Sequence, residues 1–209
     1  MPICSFTTIS ESAAYLLWRI DESEELLANI STTDMLTQPA YRKLTHPRRR
    51  KEWLAGRIAL HQLLNKWGQP YTRLQKDEWG RPYLVNSPVH LSISHSGSLV
   101  VVAADTQAPI GIDIQLLSKK LQNVQGKFLN DMEVQDGGND IETLGIYWAA
   151  KEAIYKAYGG KRLSLKQDIH IQQFTKKDSG IVWGHVGAKQ FLVHYSFYER
   201  HIIAWSQEA

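Results

Sequence analysis

The sequence predicts an α+β fold built from two similar halves, each with a helix packed on an antiparallel sheet. Each half holds one long helical stretch, at residues 47–67 and 147–158. Runs of β-branched and aromatic residues joined by short polar turns surround both stretches, a pattern typical of antiparallel strands. A connector that ends in a proline, Thr106-Gln107-Ala108-Pro109, divides the chain into an N-terminal half, residues 1–105, and a C-terminal half, residues 106–209.

Size and composition limit the classes of protein to which the chain can belong. With 209 residues, 43% of them apolar, it is long enough to bury a core, and its single cysteine, Cys4, excludes an internal disulfide framework. There is no run of 18 apolar residues and no signal-peptide pattern, so we expect a cytoplasmic protein without a membrane segment. The net charge of +3 suits a phosphorylated ligand or an acidic protein partner, and is too weak to indicate nucleic-acid binding by itself.

In the N-terminal half, two strands are predicted at residues 3–9 and 15–20, ahead of the long helix. The helix begins near Pro47, a residue favoured in the first turn, and ends near Trp67. Its first turn carries four consecutive cations, Arg48, Arg49, Arg50 and Lys51. Because cations at this end oppose the helix dipole, the turn is predicted to bind a phosphate, and Arg57 could face the same side as Arg50. A solvated basic turn and a nucleic-acid patch are the alternatives.

A β-hairpin is predicted at residues 90–104, where an alternating strand, a turn at Gly97-Ser98 and an apolar strand follow one another. Ser94 and His95 lie at the mouth of this turn, where hydrogen-bond donors could reach a ligand, although a histidine there is also common as a surface or capping residue. A hydrolase is disfavoured because no G-x-S-x-G elbow surrounds the serines. Ahead of the hairpin, Gly80 indicates a turn.

The C-terminal half is predicted to open with a strand at residues 110–116, in which isoleucines alternate with Gly111, Asp113 and Gln115. A carboxylate among such apolar residues needs a metal, a base or N–H groups, and Gly111 allows another group to approach closely. A turn-capping or lysine-paired Asp113 is the alternative. Residues 117–140 are polar and broken by glycines, so we expect a mobile segment with a short helix, suited to docking a partner protein.

The helix at residues 147–158 places Trp148, Glu152 and Lys156 on one stripe, at i, i+4 and i+8, with Lys151 about 100° around the helix from Glu152. A carboxylate between two ammonium groups could hold a cation and steady a phosphate. The alternative is an exposed Glu–Lys pair, worth about 0.2–0.5 kcal/mol. Four strands then form a predicted antiparallel meander, at residues 169–174, 181–186, 191–198 and 201–205.

Taken together and in this order, several motifs resemble the 4′-phosphopantetheinyl transferases, in particular the monomeric Sfp-type group. They are Arg48–Arg57, Gly80-Arg81-Pro82-Tyr83-Leu84, Leu91-Ser92-Ile93-Ser94-His95-Ser96, Gly111-Ile112-Asp113-Ile114 and Trp148-x-x-Lys151-Glu152-Ala153-x-x-Lys156. The resemblance implies two halves related by a pseudo-twofold axis, with coenzyme A and Mg²⁺ in the cleft between them. It also implies transfer of the 4′-phosphopantetheine arm of coenzyme A to a serine of an acyl or peptidyl carrier protein, with release of adenosine 3′,5′-bisphosphate.

The resemblance implies a role for each matching residue. Asp113 and Glu152 would ligate Mg²⁺, and Gln115 stands where the family commonly has a third acid, so one negative charge is missing. Lys156 would stabilise the leaving phosphate, and Glu152 would be either a metal ligand or the base for the serine. The coenzyme A contacts would come from the N-terminal half and from the two lysines of the helix, namely Arg48, Arg49, Arg57, Arg81, Ser94, His95, Lys151 and Lys156.

An acidic carrier protein would suit the mildly basic chain. The basic residues expected to face it are Lys119, Lys120, Lys127 and Lys161, and the apolar docking residues expected beside them are Phe128, Leu129 and Met132. No nucleic-acid or membrane partner is expected. Two other functions are consistent with parts of the sequence: a catalytically silent module that binds coenzyme A or a carrier, suggested by Gln115, and a nucleic-acid-binding module, suggested by the arginine turn.

Overall fold

A computed structural model describes residues 3–159 and 162–209, which fold as two compact units, Met1–Gln107 and Ala108–Ala209. Each unit is one antiparallel sheet with helices packed against it, which confirms the predicted α+β class. The sheets have six and five strands, and the two that the sequence did not predict, Leu74–Lys76 and Pro82–Leu84, are three residues long each. Over the described ranges, no helix is both long enough and apolar enough to cross a bilayer.

The first unit contains the six-stranded sheet. In chain order its elements are β1 (Ile3–Thr8), β2 (Ala13–Arg19), α1 (Glu24–Asn29), α2 (Thr33–Thr37), α3 (Pro39–Arg42), α4 (Pro47–Lys66), β3 (Leu74–Lys76), β4 (Pro82–Leu84), β5 (His90–Ser96) and β6 (Leu99–Asp105). The strand order is β1-β2-β6-β5-β4-β3, and α4 packs on β2 and β6. The predicted hairpin is confirmed, since β5 and β6 pair from Ser96 and Leu99 outwards around Gly97, whose φ is 62°.

The second unit contains the five-stranded sheet. Its elements are β7 (Gly111–Leu116), α5 (Lys120–Val124), a 3₁₀ turn (Gln125–Lys127), α6 (Asp131–Gly137), α7 (Ile141–Tyr158), β8 (His170–Ile171), β9 (Ser179–Val186), β10 (Lys189–Tyr198) and β11 (His201–Glu208). The order is β7-β11-β10-β9-β8, and α7 packs on β7 and β11. The predicted meander is confirmed by the pairing of β8, β9, β10 and β11 in sequence order. Helix α7 begins at Ile141, six residues earlier than expected, because Asp140 caps it by accepting from the backbone N–H of Thr143 at 3.2 Å. The helix ends at Tyr158, as predicted, and is followed by Gly159 with φ 60°; Gly160 lies outside the described residues.

The segment at residues 117–140 is folded, which corrects the expectation of a mobile segment with one short helix. Phe128 and Leu129 are fully buried in the core of the second unit, and the Phe128 ring contacts Trp148 edge-on with centroids 5.0 Å apart. These two residues therefore cannot supply the docking surface that the sequence suggested. Met132 on α6 is 81% exposed and remains available for that role.

Candidate active site

In the second unit, an acidic pair and a lysine meet where β7 lies against α7. Gly111 brings the two elements together, because a Cβ at this position would lie 1.9 Å from the carbonyl oxygen of Ala153. Side chains alternate along a strand, so Asp113 projects from the same face of β7 as Gly111, towards α7. The Lys156 ammonium of α7 donates to Asp113 Oδ1 at 2.7 Å and to the carbonyl of Ile112 at 2.9 Å.

Glu152 precedes Lys156 by one helical turn and interacts electrostatically with Asp113. Burial raises the pKa of Glu152, the nearby Asp113 carboxylate raises it further, and Lys156 opposes both effects. Two carboxylates that repel each other in a partly buried site are stabilised by a bound cation or by a proton. The structure thus brings together three of the predicted site residues, Asp113, Glu152 and Lys156, from strand and helix.

Gln115 follows Asp113 on the same face of β7, two residues along the strand, and its amide nitrogen donates to the carbonyl of Leu116 at 2.9 Å. Among the residues that the structure describes, no three histidine, cysteine or acidic side chains gather closely enough to suggest a metal site. An amide therefore stands beside the acidic pair where a third carboxylate would complete such a group. Mg²⁺ is commonly bound by one or two carboxylates together with water and substrate phosphates, so two carboxylates are compatible with this ion.

Lys151, predicted to contact a phosphate, is placed elsewhere by the fold. It is completely buried, and its ammonium donates to Glu133 Oε2 at 2.6 Å, to the carbonyl of Ile169 at 2.7 Å and to the carbonyl of Leu165 at 2.9 Å. These three bonds use all three N–H donors of a lysine. The rotation of about 100° that separates Lys151 from Glu152 on the helix points Lys151 into the core, where no ligand can reach it.

In the first unit, a buried carboxylate organises part of the predicted phosphate-binding group. Glu52 on α4 accepts from Arg48 Nε at 2.8 Å, and its second oxygen lies 3.8 Å from Arg49 and 3.6 Å from His95 Nδ1 on β5. The Glu52 side chain is 5% exposed, while Arg48 and Arg49 are 64% and 66% exposed. Sequence reasoning missed Glu52, although its i, i+4 spacing from Arg48 was visible and predicts such a pair.

Arg50 and Arg57 face another side of α4, as the sequence suggested, and both are engaged with aromatic residues. The Arg50 guanidinium lies 4.3 Å from the Tyr41 ring centroid and pairs with Glu24. Arg57 is buried and stacks on Trp53, with its guanidinium carbon 3.2 Å from the ring centroid. Burial lowers the pKa of Arg57 to about 10. The structure thus does not bring Arg57 to the Glu52 group, which lies about 140° around the helix.

The remaining predicted ligand contacts are Ser94, which lies on β5, and Arg81, which directly precedes β4 of the same sheet. Ser94 is on β5, one residue before His95, and is largely buried. Arg81 follows the predicted turn at Gly80, whose φ is 86°, and its backbone N–H donates to Asp77 Oδ1 at 2.8 Å. The Arg81 side chain is 42% exposed and lies 3.8 Å from Asp77, so it is accessible to a ligand.

The fold and these two groups of residues define a class of protein. Two family models together match most of the chain: the 4′-phosphopantetheinyl transferase N-terminal domain at residues 38–105, and the 4′-phosphopantetheinyl transferase superfamily at residues 109–206. The chain belongs to the 4′-phosphopantetheinyl transferase superfamily.

Particular relatives in this superfamily share modest identity with the chain. It is 37% identical over 111 residues to a 4′-phosphopantetheinyl transferase of Bacillus subtilis, a match that covers 50% of this chain and 48% of the relative. It is 29% identical over 157 residues to 4′-phosphopantetheinyl transferase Sfp of Bacillus subtilis (strain 168), covering 71% and 68%. Enterobactin synthase component D of Escherichia coli O157:H7 is 27% identical over 192 residues, covering 86% and 88%. The first of these matches therefore spans about half of the relative's length.

Proposed function

We propose that this protein transfers the 4′-phosphopantetheine group of coenzyme A to a serine of an acyl or peptidyl carrier protein, with Mg²⁺ and with release of adenosine 3′,5′-bisphosphate. The observation that carries the proposal is the convergence of Asp113, Glu152 and Lys156 where β7 meets α7. Family membership supports the reaction class, since two of the relatives, both of Bacillus subtilis, carry the name 4′-phosphopantetheinyl transferase.

Asp113 and Glu152 would hold the Mg²⁺, with Gln115 beside them as an amide ligand or as the acceptor for a metal-bound water. When bound, the ion would neutralise charge on the pyrophosphate of coenzyme A. The mutual repulsion of the two carboxylates fits this assignment, because a divalent cation removes it.

The chain's own residues supply the proton transfers and the positioning. Lys156 is held at Asp113 by a 2.7 Å hydrogen bond and would put a positive charge beside the leaving phosphate. Glu152 has two roles open to it, as a metal ligand or as the base that takes the serine proton. Its raised pKa favours proton uptake, which is worth about 10²–10⁴-fold in rate for a positioned base.

The first unit would bind the phosphates and the adenosine of coenzyme A. Arg48, Arg49 and His95 are gathered by Glu52, and their side chains are accessible. Ser94 adds a hydroxyl next to His95, and Arg81 adds an exposed planar donor. Arg57 and Lys151 are not part of this set, because both are buried in their own units.

The carrier protein would dock on the segment that ends in α6. Met132 is an exposed apolar side chain, and the flanking Lys119, Lys120 and Lys127 are exposed cations that suit an acidic partner. Lys161, which the sequence also suggested, lies outside the described residues. A cytoplasmic and monomeric enzyme remains our expectation, which size-exclusion chromatography with light scattering would test for the oligomeric state.

The test is incubation of the purified protein with coenzyme A, Mg²⁺ and a panel of fatty-acid, polyketide and peptide carrier domains, followed by intact-protein mass spectrometry. We expect one carrier class to gain the mass of one phosphopantetheine arm, and Asp113→Asn and Glu152→Gln to abolish the gain while remaining folded. Glu208→Gln, an equivalent change at an exposed carboxylate paired with Lys189, is the matched control and should leave transfer intact. Failure of the wild-type chain with every carrier class refutes the proposal.

A silent binding module is the second candidate, favoured by the amide at Gln115. In that case calorimetry would detect binding of coenzyme A by the wild-type chain in the same buffer in which no carrier is modified.

A further inference from the structure

The buried ion pair between Lys151 and Glu133 has no part in the chemistry proposed above. Lys151 is completely buried, and Glu133 is 3% exposed. The Lys151 ammonium donates to Glu133 and to two backbone carbonyls, those of Leu165 and Ile169. A lysine placed in a core with every donor satisfied is held in a single orientation.

The Glu133 carboxylate joins three parts of the second unit. Besides Lys151 of α7, it accepts from the backbone N–H of Ile171 on β8 at 2.9 Å and from the backbone N–H of Asn130 at 2.9 Å. Asn130 in turn caps α6, accepting from the Glu133 N–H at 3.0 Å. One side chain therefore fixes the start of α6 to both α7 and the sheet.

Each member of the ion pair is adjacent in sequence to a residue of the proposed mechanism. Met132, the exposed apolar residue of α6, precedes Glu133, and Glu152 follows Lys151. We propose that the Lys151–Glu133 pair is a positioning latch, which fixes the carrier-docking helix α6 at one register relative to the catalytic helix α7. This inference rests on the proposed function and assigns to it a determinant of carrier recognition.

Energetics explain why a charged pair would be retained for this purpose. Replacing a buried ion pair by apolar residues of similar volume is often neutral or stabilising, so stability alone does not require the pair. Directional hydrogen bonds, in contrast, fix one position of α6 relative to α7, whereas apolar contacts would allow small displacements of the helix. Helix α6 has seven residues, too few to be stable by itself, so its position depends on tertiary contacts. The Glu133 bonds hold the start of the helix, and hydrogen bonds from Tyr147 and Gln173 to Asp136 hold its end.

The latch is tested by comparing Glu133→Gln with a variant that destabilises the same unit elsewhere. Val193→Ala removes two methyl groups from a fully buried position on β10, which β9 separates from β8 in the sheet, and serves as that control. We expect Glu133→Gln to lower kcat/KM for the carrier by about 10-fold or more, up to the roughly 100-fold that a misplacement of about 1 Å can cost, with the KM for coenzyme A changed less than about twofold. Val193→Ala, at a comparable loss of Tm, should leave both parameters near their wild-type values.

Asn130→Ala provides a second variant in case Glu133→Gln does not fold. It removes the cap of α6 and leaves the ion pair in place, so we expect a smaller loss, about threefold to tenfold in carrier kcat/KM, at unchanged KM for coenzyme A. If Glu133→Gln and Val193→Ala lower kcat/KM for the carrier equally at the same loss of Tm, the Lys151–Glu133 pair is not a latch. That result differs from failure of the proposed function, in which the wild-type chain modifies no carrier.

Discussion

The close approach of β7 to α7 at Gly111 makes the candidate active site sensitive to a single methyl group. In Gly111→Ala, the new Cβ would lie 1.9 Å from the carbonyl oxygen and 2.9 Å from the carbonyl carbon of Ala153, and 2.6 Å from the amide nitrogen of Ala157. An ordinary carbon–oxygen contact is about 3.3–3.6 Å, so strand and helix must separate by about 1.4 Å or more. Since the obstacles are backbone atoms, no side-chain rotation can relieve the overlap.

Overpacking of a core costs about 1–3 kcal/mol, and we expect Gly111→Ala to lie at or above the upper end of this range because the backbone must move. The same separation would break the 2.7 Å hydrogen bond from Lys156 to Asp113, so carrier modification should fall by about 100-fold or more. Urea unfolding gives the free energy of unfolding, and the mass-spectrometric transfer assay gives the rate.

Gly126 provides the matched control, since a Cβ there would meet no atom within 4 Å. Gly126→Ala should leave the free energy of unfolding within about 1 kcal/mol of the wild type, with a gain of up to about 1 kcal/mol from the stiffer unfolded chain. If Gly111→Ala unfolds at the same urea concentration as Gly126→Ala and retains transfer, the close packing of β7 on α7 is not what builds this site.

Two further predictions concern individual side chains. Gln115→Glu adds a carboxylate beside Asp113 and should lower the Mg²⁺ concentration for half-maximal transfer by about tenfold, because metal affinity rises with the number of charged ligands. The control is Gln190→Glu at an exposed position. If both variants need the same Mg²⁺ concentration as the wild type, residue 115 is remote from the ion. Partial burial raises the pKa of Asp140, but hydrogen bonds from Lys176 and Thr143 outweigh it and lower the pKa to about 2. A lowered pKa means that ionised Asp140 stabilises the fold above about pH 4, and that this contribution is lost as the pH falls from 4 towards 2. The stability difference between wild type and Asp140→Asn, which preserves the cap, should therefore shrink over that window, and a constant difference in urea titrations would contradict the assignment.

Long elements, and the positions of Asp113 on a strand and Glu152 on a helix, were predictable from sequence because each element leaves a pattern over many residues. The helix predicted at residues 47–67 is α4, and the alternating strand predicted around Asp113 is β7, so both lie where they were expected. Short elements leave no such pattern. Strands β3 and β4, of three residues each, are too short for an alternating pattern to show, and the strand predicted at residues 169–174 is formed only over His170–Ile171.

The roles of charged residues were predicted less well, since they depend on which face of a helix is buried. Lys151 and Glu152 are neighbours in sequence, yet the first is in the core and the second faces Asp113. The partner that satisfies Lys151 is Glu133, 18 residues away, in a segment whose polar composition indicated mobility. Such pairings arise from tertiary structure and have no signature at the level of spacing.

Strand β6 has a consequence for the behaviour of the unfolded chain. Its residues Leu99–Ala104 are all apolar and all buried, and in the native sheet both of its edges are occupied, by β2 and β5. An uncharged run of this kind, rich in valine and free of proline, has the composition of segments that form intermolecular cross-β structure. Unfolding of the first unit therefore releases a self-associating segment, so recovery of soluble protein after heating will depend on how quickly β2 and β5 cover this strand again.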